Sequence, residues 1–159
     1  MNVTQATESD AAEILALQKL AYLSEAELYG DYAIPPLTQT LAEITVEFAW
    51  RTVLKAAAEG RIIGSVQGLR IGSTCYVGRL MVHPDFQGRG IGRRLMAEIE
   101  GRFPDAERFE LFTGHRSVRN IGLYERLGYR IFRTEPATAL ITLVFMEKRI
   151  NSDLKMPEG

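Results

Sequence analysis

The sequence predicts an α/β fold: a mixed sheet with helices in the α+β manner, in the order β-α-α-β-β-β-α-β-α-β-β. Three stretches predict it. Residues 51–58, 61–71 and 75–82 read as strands joined by Glu59-Gly60 and Gly72-Ser73, connections so short that they permit little but an antiparallel meander. Residues 76–97, YVGRLMVHPDFQGRGIGRRLMA, pass from strand through a glycine loop into a helix. Residues 140–146, LITLVFM, are nearly continuous in apolar residues, as a buried strand requires.

The other elements fall between these. Asn2 to Ala6 reads as a short strand. Asp10, with Glu13 three residues later, resembles a capping box for a helix over 10–23, and Ile14, Leu17, Leu20 and Ala21 give its apolar stripe. Tyr22 to Leu37 is irregular, rich in tyrosine and acid, and closed by Pro35-Pro36. It is either a solvated connector or a lid whose acids and rings receive a cation. Thr38 or Thr40 caps a second helix with Leu41, Ile44 and Phe48 on one face.

Beyond the meander, His83-Pro84-Asp85 stops the strand, because proline cannot donate to a ladder. Ile91, Leu95 and Ile99, with Met96, give helical spacing over 90–102. Phe103-Pro104-Asp105 breaks the chain before a strand at 108–114. That strand–helix–strand crossover makes 75–82 and 108–114 parallel and right-handed, with a ligand expected at their carboxyl ends. Ser117 to Leu127 is the last helix, stopped at Gly128, and a strand at 129–134 follows. The final strand ends near Lys148. Residues 1–150 are expected to form one domain and 151–159 a tail.

Composition narrows the function classes. With 159 residues, 46% hydrophobic and 25% charged, the chain should be globular with a full core. A net charge of −1 gives no reason to expect nucleic acid. No apolar run reaches the ~20 residues of a membrane span, and no secretory signal is visible, so a cytoplasmic protein is expected. Cys75 is the only cysteine and reads as an inert sheet residue; with only His83 and His115 beside it, no metal site is expected.

The glycine loop points to an anion. Helix-start N–H groups lack intrahelical partners, and glycines remove the Cβ atoms that would hold a phosphate away. Arg89, Arg93 and Arg94 add positive charge where helices normally prefer acids. A Walker loop would need Gly-Lys-Ser/Thr. A dinucleotide fingerprint would need a third glycine where Arg93 stands. The pattern Q/R-x-x-G-x-G/A, after a V-x-P strand exit, is matched in full by Val82-His83-Pro84 and by Gln87, Gly90 and Gly92. Asn120 and Tyr124 share one face of the last helix, within N-I-G-L-Y-E-R-L-G-Y.

These two motifs resemble the GCN5-related N-acetyltransferases (the GNAT superfamily), whose element order is also the one predicted over about 2–149. The resemblance implies acetyl transfer from acetyl-CoA to a primary amine of a small molecule or peptide, with no metal. It implies that the backbone of Leu80, Met81 and Val82 pairs with the pantetheine arm. The backbone of Gln87, Gly88, Arg89, Gly90, Ile91, Gly92 and Arg93 would hold the pyrophosphate. Asn120 would bond the arm, and Tyr124, near the sulfur, would protonate the leaving thiolate as general acid.

The general base stays open. Tyr76 stands near the position where some relatives carry a glutamate, which leaves His115, His83, Glu25 or a water chain. Two other function classes also stay open: a non-catalytic acyl-CoA sensor on the same fold, and a dinucleotide-binding oxidoreductase. An edge strand such as 138–148 could join two subunits in a homodimer.

Overall fold

The meander forms as its turns dictate. Glu59 and Gly60 both have positive φ (53° and 79°), the backbone of a two-residue hairpin whose twist matches its strands. A computed structural model describes residues 1–150 and gives seven strands and six α-helices. The strands are β1 (Asn2–Gln5), β2 (Thr52–Ala58), β3 (Arg61–Ile71), β4 (Thr74–Val82), β5 (Arg108–Gly114), β6 (Arg130–Pro136) and β7 (Thr142–Arg149). The helices are α1 (Ala11–Ala21), α2 (Leu23–Tyr29), α3 (Pro35–Thr38), α4 (Leu41–Glu47), α5 (Ile91–Gly101) and α6 (Val118–Arg126). The expected tail, 151–159, lies outside the described residues.

The strands form one sheet in the order β1-β2-β3-β4-β5-β7-β6. Every pairing is antiparallel except β4–β5, the one junction that the crossover through α5 makes parallel. Alternation along the strands divides the core between two faces. Val53 and Ile62 point to α1 and α4, where they meet Ile14, Leu17 and Ile44. Their neighbours Leu54 and Ile63 point the other way, to Ile91, Leu95, Met96 and Ile99 of α5. β3 is covered on both sides, so it is buried without a break from Ile62 to Gly68. Two glycines let α5 lie close on it: a Cβ on Gly64 would meet Leu95 Cδ1 at 2.9 Å, and one on Gly68 would meet Phe103 Cε2 at 2.7 Å.

Three expectations are corrected. Asp10 does not cap α1. It closes a 3₁₀ turn over Glu8–Asp10 by accepting the Thr7 N–H at 2.9 Å, and it binds Lys55 Nζ at 3.0 Å. Glu13 instead accepts the Ile62 N–H at 2.8 Å, tying α1 to β3. The irregular connector contains two short helices, α2, which ends on left-handed Gly30, and α3, opened by the proline pair. The last apolar strand is interior, because β7 pairs with β5 on one side and β6 on the other. The edge is β6, exposed throughout, so 138–148 offers no free edge for a second subunit.

Glu147 on β7 is the polar anchor of this end of the sheet. It is buried and accepts Arg108 Nε at 2.7 Å, with Arg130 and Arg149 at 3.4 and 3.5 Å. The Arg108 hydrogen bond holds its carboxyl below the usual range against the opposing effect of burial. A depressed folded-state pKa contributes stability above the unfolded value, and that contribution is lost as pH falls through the folded one. Glu147→Gln should therefore lower stability by about 1–3 kcal/mol at neutral pH. Urea unfolding should show the gap to the parent protein closing below about pH 4; a gap independent of pH would contradict this role.

Candidate active site

The site exists because β4 and β5 part company. They pair in register only at Thr74–Arg108, Cys75–Phe109 and Tyr76–Glu110. Past Tyr76, the edge of β4 that faces β5 has no strand partner. Here β4 also bulges: between Gly78 and Met81 the register to β3 shifts, and Arg79 takes a φ of 51°. A bulged strand bends, and this one stays paired with β3 at Met81 and Val82 while it parts from β5, which opens a cleft.

One cavity, of about 940 Å³, runs along Leu80, Met81 and Val82 to the glycine loop and the start of α5, with α6 as its other wall. Gly88 and Gly90 have φ of 77° and 80°, a conformation that side chains with a Cβ disfavour, and nothing lies within 4 Å of a Cβ built on either. The first bond of α5 runs from the Arg94 N–H to the Gly90 carbonyl at 3.0 Å, which leaves the Ile91, Gly92 and Arg93 amides without intrahelical acceptors. Arg93, Arg116, Arg119 and Arg126 line the cavity, and among the described residues none has a carboxylate within 4.0 Å. Glu25 is its one acid. Open glycines, free amides and unpaired guanidinium groups fit a polyphosphate.

A second cavity, of about 730 Å³, lies on the far side of Leu80, between α2, the connector, β4 and β5. The two cavities share Tyr22, Glu25, Leu80 and Asn120 as lining residues. Tyr22 donates its hydroxyl to the Leu80 carbonyl at 3.0 Å, fixing the bulged strand to the start of α2. Burial pushes the Tyr22 phenol up to about 12, partly offset by the Arg79 charge. Tyr124 is buried and lines the second cavity, and no protein group among the described residues bonds its hydroxyl. Burial, with the charges of Tyr22 and Glu25 added, raises its pKa far above the ordinary phenol, so it stays protonated.

The structure brings most of the expected residues together. Leu80, Met81, Val82, Gln87, Gly88, Gly90, Ile91, Gly92, Arg93 and Asn120 all line the first cavity. Arg89 does not; its guanidinium stacks on the Phe86 ring, 5.0 Å from the centroid. Gln87 bridges the loop to α6 by accepting Arg119 Nη1 at 3.2 Å. Of the candidate bases, only Glu25 is in place, its carboxylate held by the Ser117 hydroxyl. His83 Nδ1 accepts the Asp85 N–H at 3.0 Å, and its ring packs on Phe86, outside both cavities. His115 is turned into the β5–β7 ladder, where Nδ1 accepts the Thr142 N–H at 3.0 Å. In the connector, Tyr22, Glu25, Tyr29 and Asp31 face the second cavity, whereas Glu27 and Tyr32 are exposed and line neither. Among the described residues, no three His, Cys, Asp or Glu side chains converge as a metal would need.

Sequence reading missed Ser117, Gly114 and the arginines of α6. Ser117 donates its one proton to Glu25 and accepts the Tyr29 hydroxyl over 3.0 Å, and Tyr29 Oη in turn accepts the Arg116 N–H at 2.9 Å. Tyr29 reaches them only across Gly114, where a Cβ would land on its hydroxyl. The basic spacing of Arg116, Arg119 and Arg126 around Asn120 was visible as a second cationic helix face.

The split in the sheet, the glycine loop and the start of α5 all lie within a region that matches a known family. Residues 17–129 match the acetyltransferase (GNAT) family, and the chain belongs to it. It is 31% identical over 136 residues to the UPF0157 protein YqkA of Bacillus subtilis, covering 85% of this chain and 39% of that one. It is 37% identical over 81 residues to an acetyltransferase of Pectobacterium atrosepticum, covering 48% of this chain and 55% of that one. The chain thus spans about half or less of the length of these relatives. The PaiA N-acetyltransferase of Thermoplasma acidophilum, solved in complex with coenzyme A, superposes with a TM-score of 0.78 over 94% of this chain and 100% of its own. At 16% identity, that likeness shows the fold.

Gly114→Ala should push Tyr29 off Ser117 and lower stability by about 1–3 kcal/mol, as overpacking does. Chemical denaturation checks it. An unchanged midpoint would mean that Tyr29 is not seated against β5.

Proposed function

We propose that the chain transfers an acetyl group from acetyl-CoA to a primary amine of a small molecule or peptide. The observation that carries the reading is the meeting of two cavities at Tyr22, Glu25, Leu80 and Asn120. One is cationic and ends at a helix start; the other is lined by acids and tyrosines. Family membership and the relatives named as acetyltransferases support it.

When bound, acetyl-CoA supplies an activated carbonyl at a thioester. This chain supplies the rest. The loop amides from Gln87 to Arg93, with Arg93 and the α6 arginines, offer donors and charge to the phosphates. The unpaired edge of β4 at Leu80–Val82 offers backbone groups to the arm and a donor to the carbonyl as negative charge develops on it. Glu25, oriented by Ser117, attracts the ammonium form of the acceptor and can take its proton directly or through water. Tyr124 keeps its proton until a thiolate needs it; donation there leaves a free thiol and completes the exchange of a C–S for a C–N bond. Holding both reactants at one junction supplies much of the rate by proximity.

Calorimetric titration with acetyl-CoA, with NADH as control, tests the cofactor. One-to-one binding should be weakened at least about tenfold by Gly90→Val, because a β-branched residue resists φ near 80° and its side chain would fill the cradle. Preferential NADH binding would overturn the reading. For the chemistry, Tyr124→Phe should cut kcat about 100-fold with acetyl-CoA affinity nearly unchanged. A variant as fast as the parent would remove Tyr124 as the acid.

A further inference from the structure

Two cations in the second cavity have no counterpart in the acetyl-transfer reading. Arg51, just beyond α4, and Arg79, on the β4 bulge, both line it. The Nε atoms of both are buried and make no hydrogen bond. Among the described residues, no carboxylate lies within 4.0 Å of either guanidinium. A buried N–H donor left unpaired is costly, and more so on a charged group.

The acids of the same cavity do not relieve them, because each is already engaged. Glu110 is held by Arg108 at 2.8 Å, and Glu25 by Ser117. Glu47 accepts Gln39 Nε2 at 2.9 Å and Gln67 Nε2 at 3.5 Å. Asp31 accepts the Ala33 N–H at 2.9 Å. Arg79 is also held at a φ of 51°, a backbone state that costs energy outside glycine and tends to persist where function requires it. The cavity is therefore lined by two guanidinium groups that no protein carboxylate neutralises, each with an unpartnered Nε, while Glu25 stands at the junction with the first cavity.

We propose that the acceptor is a zwitterion: an amine that also carries a carboxylate, such as an amino acid or the carboxyl end of a short peptide. Arg51 and Arg79 receive the carboxylate by charge-assisted hydrogen bonds, and the amine lies toward Glu25 and Tyr124. The planar guanidinium fork matches a carboxylate in two-point contact. The inference rests on the acetyl-transfer reading only for the fate of the amine; the anion site stands on its own geometry.

The test pairs each of a panel of L-amino acids and dipeptides with the amine that lacks its carboxylate. Binding to the coenzyme A-loaded protein is measured by ligand-observed NMR titration, and acetylation by thiol release. At least one carboxylate-bearing member should bind about tenfold or more tightly than its partner. Arg51→Met and Arg79→Met should each remove most of that preference, raise the acceptor KM and leave coenzyme A affinity unchanged. Arg51→Gln serves if a methionine variant does not fold. Equal binding within every pair, or no binding by any carboxylate-bearing amine, overturns the proposal while leaving acetyl transfer to other amines intact. Carboxylate-dependent binding without thiol release would uphold the anion site and overturn the transfer reading instead.

Discussion

The whole site depends on one interruption of hydrogen bonding. β4 and β5 hold each other for three residues and then separate, because β4 bulges at Arg79 while β5 continues straight into its ladder with β7. An unpaired strand edge is ordinarily a liability, since its backbone groups need partners. Here the edge lies inside a cleft roofed by α2 and α6, where another chain's strand cannot reach it. The same backbone groups then remain available to a ligand. Tyr22 supports the opening from the other side by donating to the Leu80 carbonyl, so the split is braced and not merely unfilled.

That brace explains why α2 matters more than its length suggests. Its two buried residues are Ala26 and Tyr29, and Tyr29 spans to Ser117 and the Arg116 amide ahead of α6. Ser117 in turn holds Glu25, which belongs to α2. The two walls of the cleft are thus fastened to each other by a hydroxyl network that passes over Gly114. This arrangement holds the Glu25 carboxylate at the junction of the two cavities, near a tyrosine, Tyr124, that burial keeps protonated, and the proposed acyl transfer uses the two as base and acid.

The glycine loop and the helix after it were legible in the sequence because their information is local. Gln87 to Arg93 are contiguous, the glycines report the positive φ values directly, and the helix that follows is declared by Ile91, Leu95 and Ile99. Asn120 and Tyr124 lie one turn apart on one helix. The sheet order was legible only in part. The short turns fixed the meander and the crossover fixed the parallel pair, but an apolar strand does not say whether it lies inside or at an edge, and β7 lies inside. His115 shows the limit most clearly. It follows β5 at the cleft end, yet its ring answers to the Thr142 N–H on a strand whose register no local pattern states. Asp10 failed for a related reason: Thr7 offers a cap three residues earlier, and Lys55 of β2 competes for the carboxylate.

The second cavity is made differently from the first. Its lining comes from α2, the connector, Glu47 of α4 and Arg51 beyond it, strands β3, β4, β5 and β7, and Asn120 and Tyr124 of α6. Positions such as Asp31 and Arg51 lie away from the glycine loop and the split in the sheet, whereas Tyr22 and Arg79 line this cavity and also hold the split open. In the proposed reading, a cofactor held by loop backbone and an acceptor held by scattered side chains keep the chemistry apart from the choice of substrate. Arg51 and Arg79 line the second cavity and not the first, and in the proposed reading their unmet charge corresponds to a carboxylate on the second substrate.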